Sequence, residues 1–192
     1  MRKAAFVLLL GLLATAGCTL SLHPTYTDAD LVYEAKLVGT WREQDDPDER
    51  GDTAEWRFAR DGEKAYRLTV LDGKDSATFS VHLARLGKHT YLDMVPAPPR
   101  PPEASGELYE GFYLPLHWPL RMRLEDSKLY LHCLSSDWLE KNQEEGKLAI
   151  RYEEVEDYGP LVTSPTREFR QFLSECEDPA AFGEASVLIR QP

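Results

Sequence analysis

The sequence predicts a mainly β fold, a β-rich α+β arrangement. It is an antiparallel meander curled into a barrel or a strongly bent sheet, with two short helices in the C-terminal half. Two observations predict it. Four runs that alternate apolar and polar residues follow one another between residues 53 and 95, joined by short turns. About eight strand candidates occur along the chain, more than a flat sheet holds before it curls, closes or splits.

The meander is predicted from alternation and from turn residues. Residues 53–59 place Trp56 and Phe58 on one face and Arg57 on the other. The pairs Asp61–Gly62, Asp72–Gly73 and Gly87–Lys88 are then short turn signals. They connect this run to strand candidates at 65–71, 77–86 and 89–95. The remaining strand candidates are 116–124, 128–134, 148–155 and a closing strand at 186–190.

Two helices are predicted late in the chain. Residues 135–137 begin the first helix, and Gly146 ends it. The second begins at Pro165, since proline is favoured at the first helical position. Its apolar residues fall at helical spacing and form one stripe, which predicts a face packed on the sheet. That stripe consists of Phe169, Phe172, Leu173 and Cys176.

The first eighteen residues predict export. Residues 1–3 form a basic head, residues 4–16 are mostly apolar, and small residues precede Cys18. The apolar run is shorter than the ~20 residues that a membrane-spanning helix needs. Two interpretations stay open: an ordinary signal peptide cut near Ala16, and a lipoprotein signal cut before Cys18.

The second interpretation comes from a resemblance. Residues 13–18 (LATAGC) resemble the lipobox of bacterial lipoproteins, and the chain resembles uncharacterised bacterial lipoproteins that begin their domain with Leu-x-Gly-x-Trp, here residues 37–41. The resemblance implies removal of residues 1–17, thioether linkage of Cys18 to diacylglycerol, and acylation with palmitate-like chains. Thr19 after the cysteine implies the periplasmic face of the outer membrane. The expected organisation is a signal peptide (1–17), a lipidated N-terminus and tether (18–36), and one β-rich domain (37–192).

A second resemblance concerns the fold. A short helical turn, then Gly39–Thr40–Trp41, then an antiparallel meander looks like the start of a lipocalin (calycin) barrel. In that family a tryptophan plugs the closed end of the barrel, and an arginine from near the chain end packs over it. The resemblance implies these roles for Trp41 and Arg190. The Thr-Asp-Tyr motif of the family is absent from this chain.

Composition excludes some partners. The net charge of −11 argues against nucleic acid, because an acidic chain repels phosphate, and against a basic face on an anionic membrane. With Cys18 lipidated, Cys133 and Cys176 remain, either paired in a disulfide or as buried free thiols. No nucleophile-elbow, zinc-protease or phosphate-loop motif occurs, and the acidic runs at 44–52 and 153–157 lack the spacing of a calcium loop. We therefore expect neither a cofactor nor a metal.

One polar pair follows from strand register. If Gly87–Lys88 is a two-residue turn, His82 lies opposite Asp93, with apolar neighbours on the other face of the same strands. This predicts a pair outside the core, on the protein surface. A ligand contact and a general-base pair are the alternatives.

The expected function is that of a lipid-anchored, non-enzymatic envelope lipoprotein. It would bind an apolar small molecule or an envelope protein partner, and the alternative is an envelope enzyme with its site near His82 and Asp93. Aromatic residues on the strands predict either core packing or the lining of an apolar pocket in a curled sheet. These are Trp41, Trp56, Tyr66, Phe79, Tyr91, Trp118 and Tyr130.

Overall fold

The computed structural model describes residues 18–44, 54–97, 114–156 and 159–192, so the predicted signal peptide at 1–17 lies outside the described residues. The strands, in chain order, are β1 Leu20–Ser21, β2 Leu31–Val32, β3 Gly39–Glu43, β4 Glu55–Arg60, β5 Ala65–Asp72, β6 Asp75–Leu86, β7 His89–Pro96, β8 Trp118–Glu125, β9 Lys128–Cys133, β10 Tyr152–Val155, β11 Gly159–Val162 and β12 Ser186–Arg190. The α-helices are α1 Ser136–Glu144 and α2 Thr166–Glu175.

Eight strands form a closed antiparallel barrel. Strands β3 to β9 pair in chain order, and β12 pairs with both β9 and β3, which closes the circuit. Strand β2 lies outside this barrel, where it pairs with the end of β6 beyond the start of β5. The predicted meander and its curling into a barrel are therefore confirmed, as are the two helices in the C-terminal half.

The predicted register of β6 and β7 is confirmed. Leu86 pairs with His89 and Leu83 with Leu92, so the turn between the strands has two residues. Gly87 occupies that turn at a positive φ of 57°, which a residue with a side chain rarely adopts. A Cβ there would also lie 2.6 Å from the backbone oxygen of Ser174. Close packing of the turn on α2 thus requires glycine.

The barrel has two different ends. We call one the hairpin end, because it carries the tight connections at 60–65, 86–89 and 125–128. The opposite end, here the loop end, carries the turn at 72–75 and the longer connections at 44–54, 97–117 and 134–185. Strands β4 and β8 both begin at the loop end, since they run in the same direction in an up-and-down barrel.

Two apolar cores lie on the two sides of the barrel wall. Because side chains alternate along each strand, Leu83 and Leu92 point into the barrel, where they join the inner core with Trp41, Trp56 and Leu68. Their neighbours on the outer face of the same strands pack against α2 in an outer core. That core includes Ala84, Leu86, Tyr91, Phe169, Leu173 and Cys176, which confirms the apolar stripe predicted for α2.

One strand candidate leaves the barrel. The run predicted at 148–155 forms only β10, which joins β11 and β1 in a separate three-stranded sheet. Ile150 and Val162 pack in the outer core, so the apolar face of this region is buried outside the barrel wall. Alternation of apolar and polar residues predicts that one face of a strand is buried, but it does not predict to which sheet the strand belongs.

The N-terminal segment is not a tether, contrary to the prediction for residues 18–36. We call residues 18–37 the strap, because they run along the outer wall from the loop end to the hairpin end. Thr19, Ser21 and Thr25 are fully buried, and the Thr19 hydroxyl donates a hydrogen bond of 2.9 Å to the Leu134 carbonyl. Polar composition suggested a solvated chain, but these hydroxyls are hydrogen-bonded instead. None of the described helices has the length and apolar character needed to cross a membrane.

Candidate functional site

Of the two alternatives for Cys133 and Cys176, a shared disulfide or buried free thiols, the structure shows a free thiol at Cys176 and another partner for Cys133. Cys18 in the strap forms a disulfide with Cys133 at the end of β9, with a Cα–Cα distance of 5.4 Å. Cys176 is a buried free thiol. A Cys133–Cys176 bond is excluded by the fold, because Cys133 belongs to the inner core and Cys176 to the outer core. Lipidation of Cys18 stays a prediction, and it requires the same Sγ that the disulfide uses.

Trp41 and Arg190 meet at the hairpin end. The guanidinium of Arg190 lies over the Trp41 ring, 5.0 Å from its centroid, and donates hydrogen bonds to the carbonyls of Lys36 (2.6 Å) and Val38 (2.7 Å). The Trp41 indole N–H donates to the Leu37 carbonyl at 2.9 Å. All polar groups named here are paired with protein atoms, so the chain itself covers the part of this end that lies at β3 and β12.

Gly39 makes this approach possible. Its φ is 144°, and a Cβ at this position would lie 2.8 Å from the Arg190 guanidinium nitrogen Nη2. A side chain here would therefore displace Arg190 from the carbonyls that it binds. The glycine and the tryptophan of the Gly-x-Trp motif thus act together, one by leaving space and the other by filling the barrel.

The loop end contrasts with this arrangement. Trp56 is the second residue of β4 and Trp118 the first of β8, and both indoles pack with the inner core. Their Nε1–H groups are buried, and neither has a hydrogen-bond partner among the described residues. A buried N–H without a partner costs roughly 1 to 3 kcal/mol. These two donors mark the candidate site, because a hydrogen-bond acceptor that reached either of them would relieve that cost.

The four tryptophans form two groups, according to whether the indole N–H has a hydrogen-bond acceptor. Trp41 donates to a backbone carbonyl, and Trp138, in α1, donates to the Asp178 carboxylate at 2.8 Å. Trp56 is only 5 % exposed and Trp118 half-buried, yet both donors lack a partner in the part of the chain that the structure describes. The sequence indicated that aromatic residues could line a pocket, but it could not separate these two donors from the satisfied ones.

His82 and Asp93 face each other across β6 and β7, as the register predicted. The prediction of a surface pair is wrong, because Asp93 is only 1 % exposed. Its carboxylate accepts hydrogen bonds from the backbone N–H (3.0 Å) and the hydroxyl (2.8 Å) of Thr25, and it lies 2.7 Å from Nδ1 of His117. The strap covers this part of the outer wall, which residue spacing along β6 and β7 could not reveal.

The hydrogen-bond partner of His82 is Tyr26 and not Asp93. The Tyr26 hydroxyl lies 2.9 Å from Nδ1 of His82. Burial lowers the pKa of His82 below its ordinary value, and the negative charge of Asp93 opposes this only in part. Burial also raises the pKa of Tyr26, so its hydroxyl stays protonated. Thr25, Tyr26 and His117 were missed by sequence reasoning. The first two come from the strap and His117 directly precedes β8, so only the folded chain brings them to His82 and Asp93.

This polar cluster attaches the strap to the barrel. Both carboxylate oxygens of Asp93 are occupied by groups of the protein, and a general base has to reach the proton of a substrate. Within the described residues, no group of three or more His, Cys, Asp or Glu side chains could hold a metal ion. The acidic run at 44–52 lies almost entirely outside the described residues.

The fold defines the molecule as an eight-stranded antiparallel β-barrel with an outer helical layer. Comparison with protein-family models, curated proteins and solved structures finds no match for this chain. The contact between Trp41 and Arg190 is a property of this barrel, and membership of the lipocalin family stays a prediction.

Proposed function

We propose that this protein is a non-enzymatic binding domain of the bacterial cell envelope, and that the loop end of its barrel binds an apolar small molecule carrying a hydrogen-bond acceptor. The observation that carries the proposal is the pair of buried, unpartnered indole N–H groups of Trp56 and Trp118. An ester, carbonyl or ether oxygen would accept from them, while the surrounding apolar side chains would contact the rest of the molecule.

The surroundings of the two indoles support an apolar ligand. Val70, Met94 and the partly buried Phe79 belong to the same inner core. An eight-stranded barrel has an interior wide enough for side chains alone or for one small ligand. The half-buried state of Trp118 and Phe79 leaves part of both rings for such a ligand to cover.

Location in the envelope rests on the N-terminal sequence, and two forms are proposed for Cys18. Lipidation is supported by the lipobox-like run, and anchoring would follow because two or three acyl chains hold a protein on a membrane. An ordinary signal peptide cut near Ala16 is supported by the disulfide with Cys133. Either form places the domain outside the cytoplasm, and disulfides persist there. The mass of the mature N-terminus from the native source separates the two.

The first experiment tests the ligand. The domain beginning at Gly17 is secreted, purified and examined by native mass spectrometry, and bound molecules are then extracted. We expect a stoichiometric apolar molecule, or an apolar ester or ketone that raises the melting temperature. Replacing one indole donor, by Trp56→Phe or Trp118→Phe, should weaken binding about fivefold, which corresponds to one neutral hydrogen bond.

Trp138→Phe is the matched control, because it removes an indole N–H that is already bonded to Asp178 outside the barrel. Ligand affinity should stay unchanged in that variant. An empty protein whose melting temperature no apolar compound raises would refute the small-molecule proposal, and an envelope protein partner would then be the better candidate. An enzyme with its site near His82 and Asp93 has less support, since the strap occupies the carboxylate.

A further inference from the structure

A cavity at the hairpin end has a charge opposite to that of the whole protein. Its volume is about 510 Å³, and it extends around the edge of the barrel wall where β7 begins and β8 ends. The chain carries a net charge of −11, yet Glu34 is the only carboxylate among the described lining residues. The basic lining residues are Arg85, Lys88, His89, Arg121, Arg123 and His132.

Arg121 is the best-positioned cation of this cavity. Its guanidinium stacks on the Phe182 ring at 3.5 Å from the centroid and donates through Nη2 to the Cys176 carbonyl at 2.9 Å. Weaker bonds of 3.3 and 3.4 Å reach the Tyr91 hydroxyl. Within the described residues no carboxylate pairs with it. The protein therefore holds Arg121 in one orientation without a direct ion pair, and Glu177 is the nearby carboxylate that its charge acts on.

The other cations line the same cavity, and few carboxylates pair with them. Arg85 has no hydrogen bond or ion pair among the described residues. Lys88 and Arg123 pair with Glu177 and Glu125, but all four side chains are more than half exposed. Exposed pairs of this kind contribute about 0 to 1 kcal/mol, so an incoming anion can compete for both cations.

The apolar lining adds a second requirement for a ligand. Val32, Leu83 and Met122 line the same cavity. A ligand that fills the cavity would therefore combine a compact anionic group with an apolar portion. Burial lowers the pKa of His89, the charges of Arg121 and Lys88 lower it further, and the charge of Glu177 opposes them.

We infer that this cavity is a binding site for a phosphate group, carried either by a free small molecule or by a lipid headgroup. A planar guanidinium matches two phosphate oxygens at once, and a cleft lined by one sign of charge concentrates the opposite ion. The site lies at the other end of the barrel from Trp56 and Trp118, so it stands independently of the ligand proposed there.

The experiment uses the secreted domain with two probes. Inorganic phosphate is titrated by calorimetry and by NMR of the histidines, and vesicles of phosphatidylglycerol with phosphatidylcholine are compared with vesicles of phosphatidylcholine alone. We expect phosphate to bind and to raise the pKa of His89. Binding of the anionic vesicles without binding of free phosphate assigns the site to a lipid headgroup.

The key variant is the double substitution Arg85→Gln with Arg123→Gln. Arg85 and Arg123 are exposed, so the fold should be preserved, and we expect affinity for the binding probe to fall about tenfold, as for the loss of charge-assisted contacts. Arg67→Gln is the matched control, because Arg67 is equally exposed and pairs with Asp61 outside the cavity.

Three results would overturn the inference. The first is that neither phosphate nor anionic vesicles bind the unmodified domain at millimolar concentration. The second is that Arg67→Gln lowers affinity as much as the double substitution, and the third is that phosphatidylcholine vesicles bind equally well. In the last two cases the attraction would not come from the cations of this cavity.

Discussion

The two ends of the barrel satisfy their buried polar groups in different ways. At the hairpin end, the Trp41 indole and the Arg190 guanidinium both donate hydrogen bonds to backbone carbonyls of the chain. At the loop end, the indoles of Trp56 and Trp118 are buried without acceptors among the described residues. The same side-chain type thus serves two purposes. Where its donor is paired it closes the barrel, and where its donor is free it marks a place for a ligand.

The strap links these two ends. It begins at the loop end with the Cys18–Cys133 disulfide, is attached midway by Asp93, and reaches the hairpin end, where the Leu37 carbonyl accepts from Trp41. Its attachment differs along its length. It begins with a covalent bond, continues with hydrogen bonds from Thr25 to Asp93 and the ion pair of Asp30 with Arg170, and ends with a neutral hydrogen bond. Each kind of attachment gives a separate test, with the largest expected effect at the loop end.

The largest effect concerns the disulfide. It closes a loop of 115 residues, and in the chain-entropy model such a bond stabilises by about 4 to 5 kcal/mol. In the secreted domain beginning at Gly17, we expect reduction to lower the free energy of unfolding by that amount, measured by urea denaturation. The control is Cys18→Ala, which should show no response to reductant. Equal stability of the oxidised and reduced domain would contradict the pairing.

The next effect concerns the ion pair between the strap and α2. Asp30 is buried and accepts a hydrogen bond of 2.6 Å from Nε of Arg170, and this bond with the Arg170 charge lowers the pKa of Asp30 to about 2. Because the folded pKa lies below the unfolded value of about 4, the stabilisation is complete above pH 4 and is lost as the pH falls through 2. We expect Asp30→Asn to cost about 2 to 3 kcal/mol at pH 7.

Urea denaturation at pH 7, 4 and 2.5 checks the direction of this pH dependence of stability. The stability gap between the original domain and Asp30→Asn should narrow toward the lowest pH, since the protonated carboxyl resembles the amide. Asp61→Asn is the control, because its pair with Arg67 is exposed on both sides and contributes less than about 1 kcal/mol. A gap that stays constant with pH would show that the charge of Asp30 is not what stabilises the strap.

The smallest expected loss of stability comes from comparing a bonded indole donor, that of Trp41, with an unbonded one, that of Trp56. Trp41→Phe and Trp56→Phe remove the same indole atoms from neighbouring positions of β3 and β4 that pair in register. The first also leaves the Leu37 carbonyl without its donor, whereas the second removes a donor that had no acceptor. We expect Trp41→Phe to be less stable than Trp56→Phe by about 1 to 2 kcal/mol, measured by thermal and urea unfolding of the empty protein. Equal losses of stability in the two variants would mean that the Trp56 indole N–H has a hydrogen-bond acceptor.

Local pattern predicted much of the barrel. Alternation and turn residues predicted the meander, the two-residue turn at Gly87–Lys88 and the pairing of His82 with Asp93, because these depend on neighbours along the chain. Burial of Asp93 could not be predicted in this way. It depends on Thr25, which lies 68 residues away and reaches the wall only when the strap folds over it.

The candidate site was predicted only in part. The aromatic residues of the strands were recognised, but hydrogen-bond partners separate the two free indole donors from the satisfied ones, and alternation along a strand does not reveal those partners. The cavity around Arg121 gave no signal at all, since its basic residues come from β6, β7, β8 and β9 and no two of them form a motif.

The amino-acid order alone specified the strands of the meander, the turns between them and the two α-helices, because each of these follows from a repeat of two or about four residues. Tertiary structure decided the rest: closure of the barrel by β12 against β3, the partner of Cys18, and which indole donors are left free. The first two of these features join residues more than a hundred positions apart, and such contacts exist only after the chain has closed.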